Sequence, residues 1–123
     1  MTWSSLQTAV SIGRLHIVAI AAAAALTFGW IFTGGYWWTA VAFCALDWFL
    51  VNLLNRVVDL QEDQKNAIRG TDFVGRHHQA ILRAGFGTLA GSFVICALWF
   101  PQLFWLRATY HTCLLYTSDA ADE

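Results

Sequence analysis

Three oxygen-bearing side chains recur at intervals of four residues in the segment NRVVDLQED, namely Asn55, Asp59 and Asp63. On an α-helix a step of four residues advances about 40° beyond a full turn, so the three side chains project from one face as a row. A row of hard oxygen ligands suits a divalent cation. We call these three residues the acidic ladder. The spacing predicts a divalent-cation site, and the alternative is an acidic helix end exposed to solvent.

The composition of the chain indicates the environment of the ladder. Of the 123 residues, 58% are hydrophobic and 12% are charged, and seven are tryptophan. A typical soluble domain has about 25% charged residues, so the chain is expected to be a membrane protein with the lipid bilayer as a partner. The formal net charge is −1, which provides no basic surface for nucleic acid. Binding of nucleic acid is therefore not expected.

The first apolar segment is too long for a single membrane crossing. No Asp, Glu, Lys or Arg occurs from Leu15 to Leu46, whereas one transmembrane helix needs about 20 residues. Gly34 and Gly35 favour a turn within the segment, and the aromatic residues that follow them suit a membrane interface. We therefore predict a first helix from about Leu15 to Thr33 and a second from about Tyr36 to Val58. The ladder lies at the far end of the second helix.

A third uncharged segment runs from Ala84 to Leu106 and predicts a third membrane helix. It contains the sequence GTLAG, in which Gly87 and Gly91 have the small-xxx-small spacing that lets membrane helices approach closely. The alternative is that these glycines face lipid. The predicted fold class is an all-α, polytopic transmembrane helical bundle with three membrane helices in this chain.

The distribution of basic residues predicts the orientation in the membrane. The segment that joins the second and third helices contains Arg56, Lys65, Arg69, Arg76 and Arg83, whereas the Gly34–Gly35 turn is uncharged. By the positive-inside rule, the N-terminus and the segment 55–83 are cytoplasmic, in the inner or cytoplasmic membrane. A signal peptide is the competing interpretation of the N-terminus, but the apolar run continues well past a normal signal core.

The end of the chain differs in composition from the rest. Residues 113–123, CLLYTSDAADE, are mostly small, polar or acidic and show no periodicity. This segment resembles the in-frame translation of an adapter used in sequencing libraries. We therefore expect residues 1–112 to form a native membrane domain, residues 113–123 to be a non-native tail, and the natural protein to continue beyond Thr112. The alternative is a native, disordered acidic tail.

The motif N-x-x-x-D-x-x-x-D at the end of the second helix, followed by a basic loop and a third helix, resembles the UbiA-type intramembrane prenyltransferases. The resemblance covers residues 14–112, which would form the N-terminal part of a bundle of about nine helices. Two positions depart from the family pattern. Arg56 follows the motif asparagine where many members have aspartate, and the loop NAIRGTDFVGRHH lacks the proline that follows arginine in many members.

The resemblance implies a magnesium-dependent transfer of an isoprenyl group from a prenyl diphosphate to an aromatic or similar acceptor. This activity is expected of the full-length parent, and the present chain alone is expected to be inactive. Asp59 and Asp63 would be the catalytic residues and, with Asn55, the magnesium ligands. Asn55 would also contact the substrate. Basic side chains are candidates for the diphosphate oxygens, because cations neutralise their charge; these are Lys65, Arg69 and Arg76. Their alternative role is to fix topology and contact lipid headgroups.

Two other functions are compatible with the sequence. The polar residues inside the second helix and at its end could line an ion path in a small oligomeric transporter; these are Asp47, Asn52, Asn55, Asp59 and Asp63. A transport site usually lies near the bilayer midplane, whereas the ladder lies at a helix end, and this position favours the prenyltransferase interpretation. A non-catalytic membrane protein with an acidic cation site is the third possibility.

Overall fold

A computed structural model describes the backbone of residues 2–121 and the side chains of residues 2–113. Within that part of the chain the structure is all-helical, as predicted. Six helices follow one another along the chain, namely α1 (Trp3–Gly13), α2 (Leu15–Thr33), α3 (Trp38–Val58), α4 (Leu60–Lys65), α5 (Thr71–Trp99) and α6 (Pro101–Ala121). The chain divides into two compact units, the first ending at Leu89 and the second beginning at Ala90.

Three of the helices, α2, α3 and α5, are long and apolar enough to cross a membrane. The prediction of three membrane helices, and of an integral membrane protein, is confirmed at this level. Helix α2 has the predicted bounds, and it ends because Gly34 adopts a left-handed conformation (φ 71°) that caps the helix. Helix α3 begins at Trp38 and packs antiparallel to α2 after the short Gly34–Gly35 turn.

The first unit exposes large apolar side chains on its surface, as a protein surrounded by lipid does. No residue of α2 is buried within the protein, and its large side chains Phe28, Ile31 and Phe32 are more than half exposed. The fully buried positions are instead mostly polar, and in this unit they include Asp47, Asn52, Arg56 and Asp63. Lipid solvates the apolar surface, so the polar groups are the ones that must be satisfied inside the protein.

The third uncharged segment folds differently from the prediction. Helix α5 begins at Thr71, far before Ala84, and ends at Trp99 rather than at Leu106. Proline has no N–H and its ring clashes with the preceding turn, so it cannot continue α5 and instead occupies the first position of α6 as Pro101. Helix α5 also contains one non-helical residue, His77 (φ −117°, ψ 17°), where it is kinked.

In the second unit, α6 folds back along the end of α5. The Arg107 guanidinium donates to the Ser92 backbone oxygen (3.2 Å) and to the Ser92 hydroxyl (2.9 Å). It also lies 4.4 Å from the centroid of the Phe93 ring, a cation–π contact. The backbone of α6 continues through residues 113–121, which the sequence predicted as an aperiodic tail. Residues 122 and 123 of that predicted tail lie outside the described residues.

The glycine that makes a close helix contact is not one of the predicted pair. A Cβ added at Gly87 or at Gly91 would meet no heavy atom within 4 Å, so these two glycines face open space among the described residues. A Cβ added at Gly85 would lie 3.0 Å from the Leu54 side chain of α3. Gly85 therefore permits α5 to pass close to α3, two residues before the predicted motif.

Candidate functional site

The ladder keeps its helical register across the junction of α3 and α4. Helix α3 ends at Val58, and Asp59 (φ −88°, ψ 14°) separates it from α4. The Asp59 N–H donates to the Asn55 carbonyl (2.8 Å), and the Asp63 N–H donates to the Asp59 carbonyl (2.9 Å). The four-residue steps of the ladder are therefore preserved in the backbone.

The side chains of the ladder nevertheless divide into two environments. Asn55 and Asp59 are exposed, whereas Asp63 is buried with 5% of its surface accessible. Asp63 forms an ion pair with Arg56, which is the most deeply buried charged residue of the first unit at 1% exposure. The structure does not present three equivalent side chains to solvent, because the third one, the Asp63 carboxylate, faces the protein.

Arg56 is the residue that organises this end of α3. Besides its ion pair with Asp63, it donates from Nη2 to the Arg69 backbone oxygen (2.7 Å). It thereby ties α3 to α4 and to the loop before α5. We call Arg56, Asp63 and Arg69 the Arg56 cluster. Sequence reasoning treated Arg56 as a basic residue of the cytoplasmic segment and as a departure from a motif, and did not pair it with Asp63, which lies seven residues or about two helical turns further on.

The loop between α4 and α5 is held in a compact turn over the Arg56 cluster. The Ile68 N–H donates to the Asp63 carbonyl (3.1 Å), and the Thr71 hydroxyl donates to the Ile68 carbonyl (2.7 Å). Two residues adopt left-handed conformations, Ala67 (φ 51°) and Gly70 (φ 87°). These reversals bring the Arg69 carbonyl to the guanidinium of Arg56.

Helix α1, which the sequence analysis did not identify, closes over the same loop. The Ser11 hydroxyl donates to the Arg69 carbonyl (3.2 Å), and the Arg69 guanidinium donates to the Gln7 side chain. A Cβ added at Gly70 would lie 2.6 Å from Ile12. The signal for α1 was present in the sequence: Thr2 is its N-cap, and the Thr2 hydroxyl oxygen accepts a hydrogen bond from the Ser5 N–H (3.3 Å).

The three predicted diphosphate-binding cations are not gathered at one point. Lys65 is exposed in the last turn of α4. Arg69 is engaged with Gln7 of α1. Arg76 is exposed on α5, donates its Nε to the Asp72 carbonyl (3.3 Å) and lines two clefts. Of the three, Arg76 and Arg69 border open space large enough for a ligand, and the cleft beside Arg69, of about 480 Å³, is also lined by Asp63.

One of the two clefts that Arg76 lines is between α4 and the start of α5. It encloses about 600 Å³ and is lined by Val57, Leu60, Gln64, Asp72, Gly75, Arg76 and His78. The close approach of α5 to α4 at Gly75, where an added Cβ would lie 3.7 Å from Leu60, forms its base. The cleft thus brings the Arg76 guanidinium of α5 to the side of α4 that carries the Gln64 amide, and Asp63 is the preceding residue of that helix.

The donor set for a metal is small in this structure. Within the described residues, no group of three or more His, Cys, Asp or Glu side chains has a geometry that could hold a metal ion. The ladder offers Asn55 and Asp59 at the surface, and Asp63 becomes a third oxygen donor only when it leaves Arg56. Mg²⁺ commonly takes one or two carboxylates and completes its shell with water and phosphate oxygens, so the exposed pair fits such an ion.

Two buried nitrogen atoms of α3 have no hydrogen-bond partner among the residues that the structure describes. They are Nδ2 of Asn52 and Nε of Arg56, four residues apart on α3. Asn52 is only 4% exposed and lies inside a membrane-spanning helix. An unsatisfied buried donor of this kind lowers stability, because its hydration is lost and not replaced.

Comparison with known proteins adds no assignment. No family model, no curated protein and no solved structure matches the chain. The interpretation of the site therefore rests on the residues and contacts of this chain.

Proposed function

We propose that the chain forms the magnesium- and diphosphate-binding end of a UbiA-type membrane prenyltransferase, which moves an isoprenyl group from a prenyl diphosphate to an aromatic or similar acceptor. The observation that supports this proposal most directly is the preserved four-residue register of Asn55, Asp59 and Asp63 at the end of a membrane helix. Oxygen donors at this depth can meet a charged headgroup while the apolar chain of the donor remains in the bilayer.

In the proposed site, Asn55 and Asp59 would hold Mg²⁺ through their exposed oxygens. The ion would neutralise charge on the diphosphate and so make it a competent leaving group. Asp63 would join the ligand set when released from Arg56, and Arg56 would then be free to contact a diphosphate oxygen. Arg76 borders the cleft beside α4 and would neutralise further charge, with exposed Lys65 and Gln7-bound Arg69 as the weaker cations.

The proposed site is cytoplasmic, as the positive-inside rule predicts. A single cysteine at Lys65, in a background without Cys44, Cys96 and Cys113, should react with a membrane-impermeant maleimide only from the cytoplasmic side. Lys65 is suitable because it is exposed and makes no contact in the Arg56 cluster. Labelling from the external side alone would show that the orientation is the opposite of the predicted one. The site would then not face the cytoplasm, the compartment that supplies the prenyl diphosphate.

A small oligomeric transporter is the second candidate, because Asp47 and Asn52 are buried at 3% and 4% exposure inside α3. At about 100° per residue, however, the two side chains project about 140° apart around the helix. They therefore do not line a common path along α3. The ladder at the helix end remains the better candidate site.

Binding of metal and diphosphate tests the proposal on the chain itself. With the protein in lipid nanodiscs and Mn²⁺ as a paramagnetic substitute for Mg²⁺, geranyl diphosphate should increase the bound Mn²⁺ detected by electron paramagnetic resonance. Asp59→Asn should weaken this diphosphate-dependent binding by about tenfold or more, since a charged ligand is lost. The matched control is Glu62→Gln, an exposed acid of α4 that is outside the ladder and does not line the cleft, which should change it less than about twofold. Equal effects of the two variants would refute the proposed site.

A further inference from the structure

A second cleft lies on the other side of Arg76, between α1 and the start of α5. It encloses about 530 Å³ and is lined by Ser4, Ser5, Thr8, Ala9, Ile12, Gly13, Phe49, Phe73 and Arg76. We call it the α1 groove. Its volume is in the range of ligand-binding pockets, which is about 300–1,000 Å³.

The lining of the α1 groove separates into a polar and an apolar part. The hydroxyl-bearing residues Ser4, Ser5 and Thr8 belong to α1, and Arg76 of α5 supplies a cation. Ile12, Phe49 and Phe73 supply the apolar part. A ligand that matches both parts is an amphiphile with an anionic head.

The position of the groove relative to the membrane also favours an amphiphilic ligand. Helix α1 ends at Gly13, and α2, the first membrane-spanning helix, begins at Leu15 after a left-handed residue, Arg14 (φ 46°). The groove therefore opens at the membrane surface. Phe49 lies nine residues before the end of α3, which is about 13 Å along the helix axis at 1.5 Å per residue. The apolar end of the groove thus reaches the depth of the acyl chains.

The outer face of α1 is suited to the same interface. Trp3 is 73% exposed, and Leu6 and Val10, at spacings of three and four residues, are also exposed. These side chains form an apolar stripe opposite the hydroxyl-bearing face of the helix. An amphipathic helix of this kind lies in the plane of the membrane surface, where phospholipid headgroups are abundant.

The walls of the groove are fixed by close contacts. At Gly13 an added Cβ would lie 2.9 Å from the Phe49 ring, and at Gly70 it would lie 2.6 Å from Ile12. The Ser11–Arg69 hydrogen bond also holds α1 to the loop. The groove is therefore a feature of packed elements and not a gap beside a loose helix.

We propose that the α1 groove binds one anionic phospholipid. Its phosphate lies at Arg76 and the α1 hydroxyls, and the first part of one acyl chain lies against Phe73 and Phe49. Among the described residues Arg76 forms no ion pair, so its charge is available to a phosphate. The proposal does not depend on prenyl transfer, because none of the ladder residues lines the groove and Arg76 is the one residue that the groove shares with the proposed diphosphate site.

Lipid retention measured by native mass spectrometry tests this proposal. The full chain is released from nanodiscs that contain phosphatidylcholine and phosphatidylglycerol, and the lipids that remain bound are counted. We expect one phosphatidylglycerol to be retained in preference to phosphatidylcholine. Arg76→Gln should weaken its retention by about tenfold, the loss expected for a two-point contact between a guanidinium and a phosphate.

A matched control separates a built site from general attraction to anionic lipid. Arg83 is exposed, lies on the same helix and carries the same charge, but it does not line the groove. General attraction depends on charge near the surface and would be lowered similarly by Arg83→Gln and Arg76→Gln. We expect Arg83→Gln to change retention less than about twofold. Equal losses in the two variants would overturn the proposal.

The apolar part of the groove has its own pair of variants. Phe73→Ala should weaken retention of phosphatidylglycerol by several-fold, because the acyl chain loses its apolar contact with the Phe73 ring. Phe86→Ala, an exposed phenylalanine further along α5, should leave it unchanged. If Phe73→Ala has no effect while Arg76→Gln does, the groove binds a phosphate and not a lipid.

Competition identifies the source of the anionic head. Inorganic phosphate at millimolar concentration should not displace the lipid, and geranyl diphosphate should not replace it. Displacement by inorganic phosphate would reduce the groove to a simple anion site, and replacement by geranyl diphosphate would assign it to the isoprenyl donor. Asp59→Asn should leave phosphatidylglycerol retention intact, so failure of the ladder and failure of the groove are distinguishable.

Discussion

Each of the two units buries an arginine, and the two arginines are satisfied in different ways. Arg56, at 1% exposure, forms an ion pair with Asp63 and donates to the Arg69 carbonyl. Arg107, at 5% exposure, donates to the carbonyl and hydroxyl of Ser92 and lies over the Phe93 ring. The first set of contacts joins three elements of the chain, whereas the second joins two successive helices.

This difference indicates how strongly the stabilisation of each buried arginine depends on a single partner. Breaking a buried ion pair leaves an uncompensated charge, which costs several kcal/mol. A guanidinium that shares its donors among a carbonyl, a hydroxyl and an aromatic face loses only part of its stabilisation when one of them is removed. The Arg56 cluster should therefore be sensitive to single substitutions, and the Arg107 contacts should be tolerant.

The largest effect is expected for Asp63→Leu, which leaves Arg56 buried without its anion. We expect the free energy of unfolding to fall by about 3–5 kcal/mol. Chemical unfolding in detergent, followed by circular dichroism, measures it. The double variant Arg56→Met/Asp63→Leu should recover most of the loss, because both charges are removed. A double variant that is no more stable than Asp63→Leu would show that the ion pair is not the source of the effect.

The loop that carries the Arg69 carbonyl should be almost as sensitive. Gly70→Ala places a Cβ 2.6 Å from Ile12 and forces alanine into a left-handed conformation (φ 87°), so we expect a loss of about 2–3 kcal/mol. Gly34→Ala is the matched control, since Gly34 has a similar φ of 71° but open space around it. Its loss should be limited to about 1 kcal/mol of backbone strain. Equal losses would mean that the contact with α1 contributes nothing.

A third substitution removes an unsatisfied group beside the Arg56 cluster. Asn52→Leu replaces a buried amide whose Nδ2 has no partner with an apolar side chain of similar size. We expect the protein to gain about 1 kcal/mol in unfolding free energy, because the desolvation penalty disappears. The same measurement on Asn55→Leu, an exposed position, should show no gain. A loss of stability in Asn52→Leu would indicate that the amide is satisfied in the membrane, as a transporter path would require.

The smallest effect is expected in the second unit. Ser92→Ala removes the hydroxyl that accepts from Arg107 but leaves the Ser92 carbonyl and the Phe93 ring in place. The loss should be about 0.5–1 kcal/mol, which is typical of one hydrogen bond between membrane helices. Thr109→Val, which removes a hydroxyl bonded within its own helix, serves as the control. A loss of unfolding free energy as large as that of Asp63→Leu would contradict the conclusion that Arg107 depends less on a single partner than Arg56 does.

The membrane helices were the most predictable part of the fold. An uncharged run of sufficient length must span the bilayer as a helix, because lipid offers no hydrogen-bond partner to the backbone. This reasoning gave the bounds of α2, and it placed the end of α3 at Val58. It failed at Pro101, which interrupts an apolar run without any change in hydropathy, and it missed α1, which is too short and polar to appear as a span.

The candidate site was predictable in its backbone and not in its side chains. Helical periodicity sufficed to place Asn55, Asp59 and Asp63 in one register, because that register depends on residues close in sequence. The separation of exposed Asp59 from buried Asp63 depends on Arg56 and on a loop that reverses at Gly70. Periodicity contains no information about such a loop.

The sequence by itself therefore determined that this chain is helical, that it enters a membrane, and that the ladder side chains stand at a helix end. These properties follow from the chemistry of each residue in lipid or water and from spacing along one helix. The tertiary structure decided which ladder side chain is exposed, which basic side chain is engaged, and that α1 and α5 enclose a groove around Arg76. Those features arise from contacts between residues as far apart as Gln7 and Arg69, whose proximity only the folded chain creates.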